Sequence, residues 1–285
     1  MQRIWHHYAI DRVYIAGFLT ITVRLPTMSH AAVPLLVQVV SGNPATSAGV
    51  LLCLNTHDAT NLRRVHPVLL RTVAGVPWCD MAATIHDVRR WRGALPVAVG
   101  AKLPHRLPSL DPVLLAGLIS LNVQSCNTIT DAVVQRLPPT LHHLAVSFCC
   151  NLTVGASFTH LPALTSLDCG YTAALDTGLE ALPPSLQVLC MVGRGFMLSL
   201  HAIPVPASFH HLRALRVLNW TMGAATSDAY ATLPPTLEEL DISFHATAAR
   251  SMVLANLPRL RVFRAGHSIR PATRRHRAVR SAWVR

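Results

Sequence analysis

Residues that could do chemistry are plentiful in this chain, and their spacing decides what chemistry is open to them. There are 16 histidines and 7 cysteines, the latter at positions 53, 79, 126, 149, 150, 169 and 190. His142–His143 and His210–His211 are sequence neighbours. Neighbours on a strand point to opposite faces, so neither pair can close on one ion. No CxxC, HExxH or mixed Cys/His spacing accompanies them, and no metal or other cofactor is expected. An odd cysteine count without a CxxC pair fits buried thiols in a reducing compartment better than a disulfide framework. That points to the cytoplasm, with the nucleus as the other intracellular setting.

Carboxylates are scarcer, with 13 Asp and Glu in all. Asp168 and Asp241 hold the same place in a repeat, three repeats apart. At ~4.8 Å per strand they stand about 14 Å from each other, too far for paired carboxylate work. GxSxG, P-loop and GxGxxG patterns are absent, and the two glycines of "VGRGF" (Val192–Phe196) lack a phosphate-loop context. The expectation is a protein that is not an enzyme.

The elements that hold these residues are written in leucine. Blocks of LxxLxV type start at Leu118, Leu141, Leu164, Leu186, Leu215, Leu237 and Leu260. The second apolar position is Leu121, Leu144, Leu167, Leu189, Leu218, Leu240 and Phe263. A nearly constant period of about 22–23 residues with this pattern marks a leucine-rich repeat. One short strand cannot bury its own apolar side, but stacked coils can pack leucine on leucine. The fold class expected is α/β: a leucine-rich-repeat solenoid, a parallel-sheet horseshoe of about seven short coils, preceded by a small helical domain. Before each block after the first the chain carries "LPPTL", "HLPAL", "LPPSL", "HLRAL", "LPPTL" or "NLPRL" in turn. This alternation makes two coils the unit of duplication. Proline fixes φ and restrains its predecessor, so these segments are expected to be stiff, extended returns to the next strand.

Five spans follow: a poorly ordered leader over 1–30, a helical segment over 31–80, a linker and N-terminal cap over 81–113, the repeats over 114–268 and a basic tail over 269–285. The apolar run Tyr14–Val23 lies between Arg12 and Arg24 and falls short of the roughly 20 residues a membrane helix needs. No membrane partner is expected. Either a signal peptide ending near "MSHA" or a start at Met28 would account for the leader. Six arginines and no acid lie between Arg270 and Arg285, half of the net charge of +12. A solvated tail, a nuclear-import signal or a nucleic-acid contact would each use them. No basic stripe with interleaved aromatics lies elsewhere, so nucleic acid is not the expected partner.

"LISLNVQSCNTIT" and "LHHLAVSFCCNLT" place a cysteine eight residues after the first leucine. In this they resemble the cysteine-containing leucine-rich repeats of F-box proteins. The "LPPSLxxL" spacing resembles short bacterial-type and protist repeats, and the array is similar to kinetoplastid leucine-rich-repeat proteins. The stretch Asn43–Trp78 resembles a degenerate F-box. Pro44 stands for the early proline, Leu54 and Asp58 keep an LxxxD step, Val65 follows seven residues after Asp58, and Trp78 closes the motif. Leu69 replaces the usual aromatic, the early "LP" is "NP", the glutamate is missing, and "DL" is Asp58–Ala59. The resemblance implies that Pro44, Leu51, Leu54, Val65, Leu69 and Trp78 bind the small helical adaptor of a cullin-based ubiquitin ligase, with Leu51, Leu54, Val65 and Leu69 partly exposed in its absence. Without it, the helices are a plain cap on the first coil.

Between the inward leucines, the strands present residues to a concave face. Asn122, Asp168, Asn219 and Asp241 lie four places after their first leucine, and Phe148, Tyr171, Met222 and Phe244 lie seven places after theirs. Exposed aromatics on a sheet are what interface hot spots favour, so a protein partner is expected on this face. In the ligase reading the repeats present a target for ubiquitin transfer. The other reading is a scaffold or recognition protein without any ligase link, cytoskeletal, or extracellular if residues 1–31 are a signal peptide.

Overall fold

The structure is a computed structural model that describes residues 13–15, 19–21, 37–38, 42, 51, 59, 61–64, 66–107, 110–175, 179–192, 208–221, 230–243 and 256–265. Pro44, Leu54, Val65, Met222, Phe244 and the tail 269–285 lie outside them. The chain divides into two compact units, Met1–Ala83 with Asp87–Val99, and Thr84–His86 with Gly100–Arg285.

In the first unit, β1 (Val13–Ile15) and β2 (Leu19–Ile21) pair antiparallel, with Tyr14 opposite Thr20. This part of the expected leader is therefore a hairpin. Helix α1 (Pro67–Ala74) starts where Pro67 fits the first turn and His66 Nδ1 accepts the Val68 N–H. Leu69 and Val73, four apart, form its buried stripe. Strand β3 spans Cys79–Thr84. Helix α2 (Val88–Ala94) starts at Val88 because the Asp87 carboxylate caps it through the Arg90 N–H.

In the second unit, eight successive strands run parallel in chain order: β4 (Gly100–Lys102), β5 (Ser120–Asn122), β6 (His143–Ala145), β7 (Ser166–Asp168), β8 (Val188–Cys190), β9 (Val217–Asn219), β10 (Glu239–Asp241) and β11 (Val262–Arg264). The register aligns Leu121, Leu144, Leu167, Leu189, Leu218, Leu240 and Phe263, the positions the repeat demanded. All but Phe263 are buried. The fold is a leucine-rich-repeat solenoid.

In the second unit the parallel strands begin one coil earlier than the leucines do. Ala101 pairs with Leu121, and β4 lies in what read as linker and cap. "LPVAVGAKL" (Leu95–Leu103) follows the phase of "LPALTSLDC" (Leu161–Cys169), with Ala98 and Ala101 in the two leucine places. Both alanines are buried.

The return segments are tight turns, which corrects the expectation of extended ones. Leu141 N–H donates to Pro138 O, Leu186 to Pro183 O and Leu237 to Pro234 O. The same bond joins Leu164 to Leu161, Leu215 to Leu212 and Leu260 to Leu257. Each spans three residues, so Pro139, Pro162, Pro184, Pro235 and Pro258 take the first central place of a β-turn, where a fixed φ near −65° fits. Before Leu118 the turn is built by Ala116 (φ −53°, ψ 136°) and Gly117 (φ 76°), a type II pair in which glycine supplies the positive φ.

Candidate protein-binding face

Residues flanking each inward leucine point the other way. One row of the sheet face is therefore Lys102, Asn122, Ala145, Asp168, Cys190, Asn219, Asp241 and Arg264, paired in that order. Asn122, Asp168, Asn219 and Asp241 are half-buried, while Ala145 is buried. Asp168 and Asp241 are separated by Cys190 and Asn219, so the two carboxylates do not meet.

Asp168 is the most connected of these groups. Its Oδ2 accepts Gln124 Nε2 at 3.0 Å, and its Oδ1 accepts the Ser147 hydroxyl and the Gly170 N–H. Gln124 belongs to the coil of β5 and Ser147 to the coil of β6, so one carboxylate ties three coils together. Asn122 and Asp241 turn back instead, accepting the Gln124 and Ser243 N–H groups.

Just past the strands runs a second column, Ser125, Phe148 and Tyr171. All three are left-handed, at φ 60°, 60° and 57°. The conformation costs an L-residue about 1–2 kcal/mol and is held here by the coil-to-coil ladder. Ser125 N–H donates to Ser147 O, Phe148 to Gly170 O and Tyr171 to Val192 O, at 2.7–2.9 Å. The Phe148 and Tyr171 rings stack, with centroids 4.4 Å apart and planes at 14°. Phe148 is still 47% exposed. The sequence brought these two together by period alone. It gave no sign of the backbone geometry, nor of Gln124 and Ser147 as partners of Asp168.

Three of the thiols near this face, Cys149, Cys169 and Cys190, are held protonated. Burial pushes Cys149 up to about 12, and burial, then the Asp168 charge, raises Cys169 and Cys190. A thiol held neutral is a small apolar side chain, and Cys149 Sγ spends its weak donor on Val123 O. The six described cysteines are free. Burial, then the neighbouring His142, lowers His143, so a neutral imidazole is favoured on β6.

A set of polar residues went unnoticed in the sequence. Thr140 Oγ1 donates to Leu118 O, Ser185 Oγ to Leu164 O and Thr236 Oγ1 to Leu215 O, at 2.7–2.8 Å. These are the hydroxyls of "LPPTL", "LPPSL" and "LPPTL". The intervening turns carry Ala163, Ala214 and Arg259 there, and this is the physical content of the two-coil period.

The adaptor-binding residues have a different fate. Leu51 and Leu69 are 0% exposed, and Trp78 is buried with its indole N–H on Val73 O at 2.8 Å. The expectation of partial exposure at Leu51 and Leu69 is corrected: both are spent inside the chain. Among the described residues, no helix is long and apolar enough to cross a membrane, and no three metal-ligating side chains are gathered at one place.

No family model matches the sequence, and no curated protein matches it. Solved structures do. Internalin C2 from Listeria monocytogenes is similar at 14% identity and a TM-score of 0.48, over 80% of this chain and 96% of that one. An internalin (inlF) of the same organism is similar at 14% identity and a TM-score of 0.35, over 72% of this chain and 73% of that one.

Proposed function

We propose that this chain is a non-enzymatic protein-binding module whose partner lies on the sheet face, against Phe148 and Tyr171 and beside Asn122 and Asp168. The observation that carries the reading is the stacked pair itself. Two aromatic rings are held outward on left-handed backbone, where glycine would cost less. Large, rigid rings on a preorganised ladder lose little entropy when a partner covers them, which is how interface anchors work. Met222 and Phe244 belong to the same column by period and extend the proposed face.

A photo-crosslinking phenylalanine analogue at Phe148, with the same analogue at the exposed Gln135 as control, tests this in cells. Covalent adducts from position 148 alone are expected. Equal adducts at both positions, or none at 148, contradict it.

Coupling to a cullin-based ubiquitin ligase through residues 44–78 is the finer form of this reading, and a cytoplasmic or nuclear setting goes with it. Its support is the spacing of Pro44, Leu54, Val65 and Trp78. The burial of Leu51 and Leu69 weighs against it and favours a scaffold without a ligase link. Co-expression with the helical adaptor separates the two. A 1:1 complex lost on Leu54→Asp supports the ligase, and no complex with soluble protein supports the scaffold.

A further inference from the structure

We infer that the ledge beside Phe148 receives a planar cation, the guanidinium of an arginine on the partner's surface. The inference rests on the protein-binding reading and specifies its chemistry.

Three places in the column share one backbone geometry, and only two carry rings. Tyr171 covers one face of Phe148. On the other side, one coil away at ~4.8 Å, stands Ser125, exposed and too small to reach across the ring. The space that a third stacked ring would fill is open to solvent, and it accounts for the 47% exposure of a residue already stacked on one side. A flat group can stack on an open aromatic face, and such faces attract cations.

The neighbouring charge selects the cation. Asp168 is bonded to Gln124 and Ser147, the residues immediately before Ser125 and Phe148. Asp168 stands on the coil of Tyr171, two coils from that of Ser125, and these two bonds tie its carboxylate to the residue preceding each wall of the open place. A neutral ring placed there would gain stacking alone. A guanidinium would gain stacking and the field of the carboxylate together. An ammonium has the charge without the flat shape.

The test uses the full chain, labelled for amide NMR, and titrates N-acetyl-argininamide, N-acetyl-lysinamide and N-acetyl-phenylalaninamide. Saturable shifts at Ser125, Phe148 and Tyr171 are expected with the arginine compound, and dissociation about tenfold weaker with the other two. Asp168→Asn, which keeps the acceptor for Gly170, should weaken arginine about tenfold. Ser125→Phe should fill the place and abolish the response while leaving distant solenoid amides unmoved. Equal binding of the phenylalanine or lysine compound, no saturable shift, or a response that survives Ser125→Phe overturns the inference. Crosslinking at 148 without an arginine response would sink this inference and leave the protein-binding reading standing. An arginine response without crosslinking would do the reverse.

Discussion

Phe148 and Tyr171, 23 residues apart in sequence, stack at 4.4 Å because each sits at the same left-handed corner of successive coils. Their pairing is a consequence of the repeat: the ladder places the corners one above the other, and the rings follow. The pair should therefore be energetically coupled. A double-mutant cycle of Phe148→Ala and Tyr171→Ala, read by denaturant unfolding, is expected to give about 0.5–1.5 kcal/mol of interaction. Phe148→Gly should melt higher than Phe148→Ala, since only glycine takes φ 60° without strain.

The leucine ladder carries the stability. Leu144→Ala or Leu167→Ala empties a fully buried site and should cost roughly 2–5 kcal/mol. Pro138→Ala should cost much less, because its carbonyl still accepts from Leu141 and the change acts chiefly on the unfolded chain. Equal losses in thermal melts of the leucine and proline variants would contradict the alignment.

The hydroxyls of the alternate turns should each matter by a similar amount. Thr140→Val, Ser185→Ala and Thr236→Val each leave a leucine carbonyl without its side-chain donor, an expected loss of about 1 kcal/mol. Thr140 and Ser185 lie two coils apart and share no partner, so their losses should add. A negligible effect at all three would remove this explanation of the two-coil period.

Stability should fall in alkali. Burial raises Cys149 from its ordinary 9.0 to about 12 and Tyr230 from 10.0 to about 12. Each group keeps its proton in the fold at a pH where the unfolded chain has released it. The contribution is complete below pH 9 and is lost as pH rises toward 12. The denaturation midpoint should decline between pH 9 and about 12, and less steeply in Cys149→Ala. A thiol reagent at pH 8 should modify the exposed Cys79 and Cys150 and spare Cys126, Cys149 and Cys169. Uniform labelling would contradict the burial.

The solenoid was legible because six strands advertise themselves with two leucines at a fixed offset and a seventh with Leu260 and Phe263. The eighth was not, because Ala98 and Ala101 fill the same places with side chains too small to register as a core pattern. Its turn residue Pro96 was the available signal. The turns were misread for a related reason: proline's fixed φ serves an extended segment and a β-turn equally, and only the bond from Leu141 to Pro138 O decides. The face was legible in part. Period alone places Phe148 beside Tyr171, but the left-handed corner and the anchoring of Asp168 by Gln124 and Ser147 depend on geometry between coils that no one-dimensional pattern encodes. The F-box spacing misled at Leu51 and Leu69, because the same apolar periodicity serves an adaptor interface and an internal core.

The most direct measurement compares what is captured by the intact chain, by Phe148→Ala with Tyr171→Ala, and by the control Gln135→Ala with Arg136→Ala, two exposed residues outside the strands, all three first shown to be folded by thermal melts. Partners held by the intact chain should be retained by the control and lost from the aromatic variant. Partners retained by the aromatic variant, or lost only from the control, would contradict binding at the Phe148–Tyr171 face.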